Sequence, residues 1–364
     1  MRLESDIGAA GEDVYPEQFA RPYRPLSEEF LLALKLARPR YGHSPRLASI
    51  KVTDKCNFSC PHCNANQIGG QEMTTAEIYN AQRHLKKIGT QRLDITGGEP
   101  TLRGDLTQII SHGHELDMLV TLNTNGGIKK EKIMDEYAYW YDLAEAGLFG
   151  AYFSFDGMGQ KTDPRVIHLA AFLVNTLHIF GGVRTVVTQD NLDKVYDIGR
   201  RCMLNNVFFQ AVPAIGLNGP SSASPDNFHP LDAEGRQEFI KIIRELSKVR
   251  GPMANFLHVP NSYLKSVVDS PDSNSAWHCK RPSAHWIFVD AQGNARVCND
   301  RLLPQNYSLK GEDYPFTKEF HKAVERESKR CGGCSWFCNW EGNRKQTIRG
   351  GTDLRFYITI NSLT

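Results

Sequence analysis

The chain has 364 residues, room for about two domains, and its 40% apolar and 23% charged residues argue against wholesale disorder. Forty-three basic against 41 acidic residues leave a net charge of +2 with no blocks of one sign, so no nucleic-acid partner is indicated. No apolar run approaches about 18 residues, and the amino terminus has neither a basic start nor an apolar stretch, so neither a membrane span nor a secretory signal is expected and the chain reads as cytoplasmic.

In chain order, residues 1–45 are rich in Pro, Arg and Glu and read as an extension, with a short helical stretch at 30–34. From residue 46 to about 250, short apolar runs alternate with amphipathic segments, the pattern of βαβ units on a parallel sheet. Strands are expected at 49–53, 92–96, 118–123, 151–155, 183–188 and 207–212. Thr74 and Glu77 form a capping box for a helix that lines Ile78, Ala81, Leu85 and Ile88 on one face and ends at Gly89. Further helices are expected at 133–146, 166–180, 190–205 and 232–249. Six such units with right-handed crossovers can curl into part of a barrel, which gives an α/β fold with a partial (β/α)6 TIM-type barrel. Residues 251–278 read as a linker. From 279 to 364 the character changes to a smaller, cysteine-rich unit, with a hairpin expected over 286–297 and its turn at 291–294.

The nine cysteines are too sparse for a disulfide scaffold, and their odd number and clustering point to metal ligation in a reducing compartment. Cys56, Cys60 and Cys63 directly follow the first strand. Three thiolates on one loop can converge on a metal centre and leave it one ligand short, whereas a structural zinc site wants four. A zinc knuckle that borrows His62 or Cys202 is the plain alternative. The C-x3-C-x2-C spacing resembles that of the radical SAM superfamily. Later motifs agree in order: Gly97-Gly98-Glu99-Pro100 after the second strand, Asn123-Thr124-Asn125-Gly126 after the third, Ser154-Phe155-Asp156-Gly157 after the fourth, then Arg165. The resemblance implies a [4Fe–4S] cluster on Cys56, Cys60 and Cys63 whose open iron is chelated by S-adenosylmethionine (SAM). It implies His62 against the adenine, Gly97, Gly98 and Glu99 at the methionine amino group, Ser154 and Asp156 towards the ribose, and Asn125 among the cofactor-binding residues. Arg165 is implied at the SAM carboxylate or, in the plain alternative, is a helix-start surface residue. Gln210 is a candidate for the adenine side.

In the later unit, Cys279, Cys298, Cys331 and Cys334 can supply full ligation to one site, which suits zinc as well as iron–sulfur. Cys279, the Gly293–Cys298 spacing and the late C-x2-C resemble the SPASM/twitch extension of radical SAM enzymes, which implies one auxiliary [4Fe–4S] cluster. Cys338 is left over as an alternative ligand, a hydrogen donor or a buried thiol. Cys202 reads as a core thiol by default, with a hydrogen-returning role as the alternative. His112 and His114 read as structural. His285 is a candidate substrate contact.

The resemblance implies reductive cleavage of SAM to a 5′-deoxyadenosyl radical that abstracts a substrate hydrogen, fed by a flavodoxin- or ferredoxin-type donor. The expected reaction is oxidation of a small polar molecule, such as a sugar, aminocyclitol or nucleoside, with the auxiliary cluster as electron acceptor. The alternatives are a peptide-modifying maturase or epimerase and a zinc-stabilised, non-catalytic binding protein.

Overall fold

The structure, a computed structural model, describes residues 17–20, 45, 47–60, 63, 70–127, 132–214, 229–248, 257, 286–296 and 303–330. Strands β1 (Leu47–Lys51), β2 (Arg92–Thr96), β3 (Leu119–Thr124), β4 (Leu148–Ser154), β5 (Phe180–Val187) and β6 (Phe208–Pro213) pair in parallel, each with the next. Helices α1 (Thr75–Ile88), α2 (Leu106–Glu115), α3 (Ile133–Glu145), α4 (Arg165–Asn175) and α5 (Val195–Leu204) make the crossovers, and α6 (Ala233–Leu246) packs on α5. The expected six-strand parallel sheet of a partial TIM barrel is therefore present.

Strand β7 (Trp286–Val289) pairs in parallel with β1, and β8 (Ala295–Arg296) returns antiparallel to it, so the sheet order is β6-β5-β4-β3-β2-β1-β7-β8. The hairpin expected at the head of the later unit is thus an extension of the barrel sheet. Asp290 shapes its turn by accepting the Gln292 and Asn294 N–H groups, and Gly293 takes φ 82°. Helix α7 (Lys318–Lys329) starts at an N-cap Thr317 and packs Phe320 against Tyr307 and Phe316. Among the described residues, no helix is long and apolar enough to cross a membrane.

Local signals explain the helices that were foreseen. Thr74 and Glu77 cap α1 reciprocally, and Gly89 ends it at φ 102°. Asp232 caps α6 through the Gly235 N–H. The helix expected over 166–180 stops at Asn175, and Phe180 begins β5.

The sheet divides many of its residues by parity, although Leu148, Tyr152, Phe180 and Phe208 join the apolar core from the alternate positions. Ala48, Ile50, Leu93, Ile95, Val120, Leu122, Ala151 and Phe153 are buried in the apolar core. This is the face on which the helices lie: Gly113 of α2 meets Val120, and Gly181 of β5 meets Ala170 of α4. The alternate residues form an inner face of different character. It carries Ser49, Asp94, Thr121, Asn123, Tyr152, Arg184, Gln210 and Trp286, joined by Trp286 Nε1 donating to Ser49 Oγ at 3.0 Å and by Thr121 donating to Asp94. A barrel interior filled by apolar layers would be a packed core. This one offers hydrogen-bonding groups instead.

Candidate active site

The cysteine loop leaves β1 after Lys51 and returns to α1 at Thr74. One guanidinium holds both of its ends. Arg103 Nη1 donates to the carbonyls of Val52 at 2.8 Å and Met73 at 3.0 Å. The rest of the fork pairs with Asp105, at 2.7 Å from Nε and 2.6 Å from Nη2, and Thr75 Oγ1 donates to the same carboxylate at 2.5 Å. The Arg103 pairing is the main reason the Asp105 carboxyl sits below the usual carboxylate range. Inside the loop, Glu72 Oε1 accepts from Thr53 Oγ1 at 2.9 Å and Asp54 N at 2.8 Å. The β7–β8 turn closes over the same root: Met73 N donates to Ala291 O at 2.8 Å, and Gln292 Nε2 to Asp54 Oδ2 at 2.7 Å.

Gly97 and Gly98 have a packing role that the motif alone did not show. The space they vacate faces the loop root. A Cβ at Gly98 would lie 2.2 Å from Lys55 O, and one at Gly97 would lie 2.8 Å from Thr53 O. Their absence lets two backbones join: Gly98 N donates to Thr53 O and Glu99 N to Lys55 O, both at 2.7 Å.

Glu99 is fully buried at the end of this turn. Its Oε1 accepts Thr101 N at 3.1 Å, Thr101 Oγ1 at 2.7 Å and Thr124 Oγ1 at 2.7 Å, and its Oε2 accepts Asn125 N at 2.6 Å. Four donors stabilise the charge in place, and no cation pairs with it among the described residues. A buried carboxylate without a counter-charge, with one oxygen lightly used, fits a cationic ligand group.

Cys56 lies beside this carboxylate. Its sulfur accepts from Phe58 N at 3.4 Å and Asn125 Nδ2 at 3.7 Å. Burial pushes the Cys56 thiol up, the Phe58 N–H pulls it back, and the Glu99 charge adds to the rise. Asn57 ties the loop to the end of β3, with Asn125 Nδ2 donating to Asn57 Oδ1 at 2.9 Å and Asn57 Nδ2 to Gly127 O at 3.2 Å. Gln160 reaches across from the β4–α4 loop to accept Ser59 N–H at 2.5 Å. Cys63 N donates to Cys60 O at 3.0 Å, a tight turn between the last two cysteines. Burial also raises the Cys60 thiol, and nearby Lys161 opposes the rise. Among the described residues no three His, Cys, Asp or Glu side chains gather around a single metal-ion position. Three sulfur donors on one loop, with N–H groups aimed at one of them, suit an iron–sulfur cluster, whose sulfurs take such hydrogen bonds.

The charged residues after β4 also have partners within the protein. Asp156 is buried and committed within the protein, accepting Val186 N at 2.9 Å and pairing with Lys161 Nζ at 3.1 Å. Burial would lower the Lys161 pKa, but Asp156 and then Cys60 outweigh it and hold the ammonium raised. Arg165 is also engaged: it donates to Gly126 O at 2.7 Å and pairs with Glu136 and with Asp163, the latter at 3.5 Å. Its fork is therefore occupied by two carboxylates and a carbonyl. Ser154 ends β4 on the inner face, in register with Arg184. Gln210 is buried on the same face, where its Oε1 accepts Arg184 Nε at 2.6 Å.

Cys202 is fully buried on α5 within the helix-side core, where burial drives its thiol pKa far up, a placement that suits the core-thiol reading. His112 stacks on Tyr79 at 4.1 Å and bonds Gln82, a structural role. His62, His285, Cys279, Cys298, Cys331, Cys334 and Cys338 lie outside the described residues. Sequence reading missed Arg103, Asn57, Lys161 and Arg184. Of these Arg184 carried a signal, a lone arginine inside an apolar strand at an inner-face parity.

A family model described as the radical SAM superfamily matches residues 50–206. The chain is 28% identical over 282 residues to 7,8-dihydro-6-hydroxymethylpterin dimethyltransferase of Methanocaldococcus jannaschii, which covers 70% of this chain and 53% of that protein. It is 36% identical over 126 residues to a probable GTP 3′,8-cyclase of Methanopyrus kandleri, covering 34% of this chain and 38% of that one. The chain thus spans between about a third and a half of these curated relatives. Among solved structures, SuiB of Streptococcus suis bound to S-adenosylmethionine superimposes with TM-score 0.58 at 14% identity, over 85% of this chain and 77% of that one. Native anSMEcpe with bound AdoMet and Cp18Cys peptide gives 0.55 at 16% identity, over 87% and 95%. At such identities the superpositions establish the fold. The cysteine loop on β1, the Gly97–Pro100 turn on β2 and the family match lie on one stretch of chain, residues 50–206, which is similar to the radical SAM superfamily.

Proposed function

We propose that this protein cleaves SAM reductively and uses the product to take a hydrogen atom from a small polar metabolite, such as a sugar, aminocyclitol or nucleoside, in a net oxidation. The observation that carries the reading is Glu99: a fully buried carboxylate, fixed by four donors, uncompensated by any cation among the described residues, next to Cys56. When bound, the cluster and SAM supply a 5′-deoxyadenosyl radical. The chain's own residues do the rest. Cys56, Cys60 and Cys63 would hold the cluster, and Asn125 and Phe58 donate to the Cys56 sulfur. Glu99 would take the SAM ammonium. Arg103, Glu72 and the Gly97–Gly98 contact keep the cysteine loop from moving. The polar inner face favours a substrate rich in hydroxyl or amide groups, since its amides and guanidinium would otherwise stay unanswered. The names of some curated relatives, a pterin dimethyltransferase and GTP cyclases, also point to small polar molecules, while another, PqqA peptide cyclase, points to the peptide alternative. The later cysteines would hold an auxiliary cluster that receives the electron while a proton leaves the substrate.

The test is anaerobic purification with iron quantitation, then addition of SAM and a chemical reductant. A brown protein that forms stoichiometric 5′-deoxyadenosine supports the reading. Colourless protein that carries zinc overturns it in favour of a binding protein. Deuterium transfer into 5′-deoxyadenosine from labelled sugars, aminocyclitols or nucleosides, against labelled peptides, identifies the substrate class.

A further inference from the structure

The inner face of β3–β6 concentrates hydrogen-bond donors that outnumber the acceptors meeting them among the described residues. Arg184, at the middle of β5, donates Nε–H to Gln210 Oε1 at 2.6 Å and Nη1–H to Asn123 Oδ1 at 2.9 Å. Its guanidinium lies 4.4 Å over the Tyr152 ring. Gly182 makes this stack possible, because a Cβ there would sit 2.8 Å from the Tyr152 ring carbons. A guanidinium carries five N–H groups, so three remain without an acceptor among the described residues. No carboxylate lies within ion-pairing distance of Arg184 among the described residues, whereas the neighbouring inner-face cations Lys51 and Arg92 pair with Asp54 and Asp94. The two amides that orient Arg184 do so through their oxygens. Their NH2 groups therefore remain as additional donors. The cross-strand neighbour in register, Ser154, adds a hydroxyl.

A cation held in a partly buried site by two neutral amides and a ring is preorganised and uncompensated. Desolvation there is offset only when an anion arrives, and a planar fork suits a two-oxygen or three-oxygen acid group. We propose that Arg184, flanked by Asn123 and Gln210, is the receptor for an anionic oxygen group of the substrate, a phosphate monoester or a carboxylate. This deepens the functional reading above and rests on it: the small polar substrate would bear a negative charge and be oriented by that charge against the inner face. Arg165, with its fork already occupied, and Lys161, paired with Asp156, leave this role to Arg184.

The test uses anaerobically reconstituted full-length protein and calorimetric titration with inorganic phosphate, with acetate, and separately with SAM. Saturable binding of phosphate or acetate is expected, and the tighter of the two names the source of the charge. Arg184→Gln should weaken that binding at least 10-fold while leaving SAM affinity within about 2-fold. Absence of saturable anion binding in the unaltered protein overturns the proposal, as does an unchanged anion affinity in Arg184→Gln. A 10-fold loss of SAM affinity in Arg184→Gln also overturns it, because the guanidinium would then serve SAM. If that variant does not fold, unaltered protein decides: phosphate and SAM must bind together, and strict competition between them refutes the assignment. The radical reading is tested separately by 5′-deoxyadenosine formation without substrate. Anion binding without cleavage sinks that reading and spares this site, and cleavage without anion binding does the reverse.

Discussion

The two sides of the barrel mouth are built on opposite principles. On the β1–β3 side, around the root of the cysteine loop, nearly every strong polar group has found a partner within the protein. Arg103 satisfies two carbonyls and a carboxylate, Glu72 takes two donors, and the Gly97–Gly98 turn pairs its backbone with residues 53–55. On the β4–β6 side, Arg184 and its amides keep donors to spare. Self-complementary polar groups fix geometry, while unmatched ones await a ligand. Glu99 stands between the two regimes, fixed in place by four donors yet unneutralised. On the reading proposed above, the rigid side would locate the chemistry and the open side would select what enters.

The comparison breaks most sharply at the cysteines. Cys60→Ala should remove the first cluster and reduce 5′-deoxyadenosine formation to the reductant-only background, with iron content falling by one cluster's share. Retention of both would show that the rigid side holds nothing. The next largest effect belongs to Glu99→Gln. An amide NH2 would face a donor where Oε2 now accepts Asn125 N–H or where Oε1 takes its three, and one net charge disappears. We expect SAM affinity to fall 10- to 100-fold and stability to drop by about 2–4 kcal/mol, read by calorimetry and chemical denaturation. A stable variant with unaltered SAM affinity would remove Glu99 from the site.

Arg103→Gln tests the rigidity directly. It frees two carbonyls and strands Asp105, so a loss of about 2–3 kcal/mol is expected, with weaker cluster retention on gel filtration. This loss depends on pH. Arg103 holds the Asp105 carboxyl below its ordinary range, so its contribution is fully present above the unfolded carboxylate value and vanishes as pH falls through the folded value. The gap in stability between the two proteins should therefore narrow in strong acid. A gap that stays constant would mean that the Asp105 pairing contributes nothing. Gly98→Ala should cost a comparable or slightly smaller amount, about 1–3 kcal/mol, because the clash is with backbone at Lys55 that has no rotamer to change.

Much of the rigid side was legible in the sequence, because its signals are local. The capping box of α1, the alternation of β1–β6 and the order of the Cys, Gly-Gly-Glu and Ser-x-Asp motifs need only a few neighbouring residues to be read. The ligand assignments were less legible. Gly97 and Gly98 also fit closely against the loop root, a contact that the motif by itself does not reveal. Asp156 and Arg165 found their charges inside the protein, through Lys161 and Glu136, which lie outside their own motifs. The placement of β7 beside β1 joins segments from opposite ends of the chain and leaves no periodic trace. Helix α2 has Asp105 at its N-cap, a usual start signature, yet the carboxylate makes no cap bond because it is taken by Arg103. Arg184 was hidden for a further reason: its meaning depends on the absence of a carboxylate across three strands, which only the register reveals.

The smallest effect sharpens the comparison from the other direction. Thr74 caps α1 at the exit of the cysteine loop, bonding Glu77 N at 3.3 Å while Glu77 accepts the Thr74 N–H at 2.8 Å. Thr74→Ala removes half of that box and should cost about 1 kcal/mol. The loop exit, however, is also held by Arg103 at Met73 O and by Ala291 O at Met73 N. If the root is overdetermined, the lost cap stays local: the melting temperature falls by a few degrees, and SAM affinity and iron content do not change. A variant that lost SAM affinity along with the cap would show that the exit is held by its helix alone. The difference between the two sides of the mouth would then be one of degree.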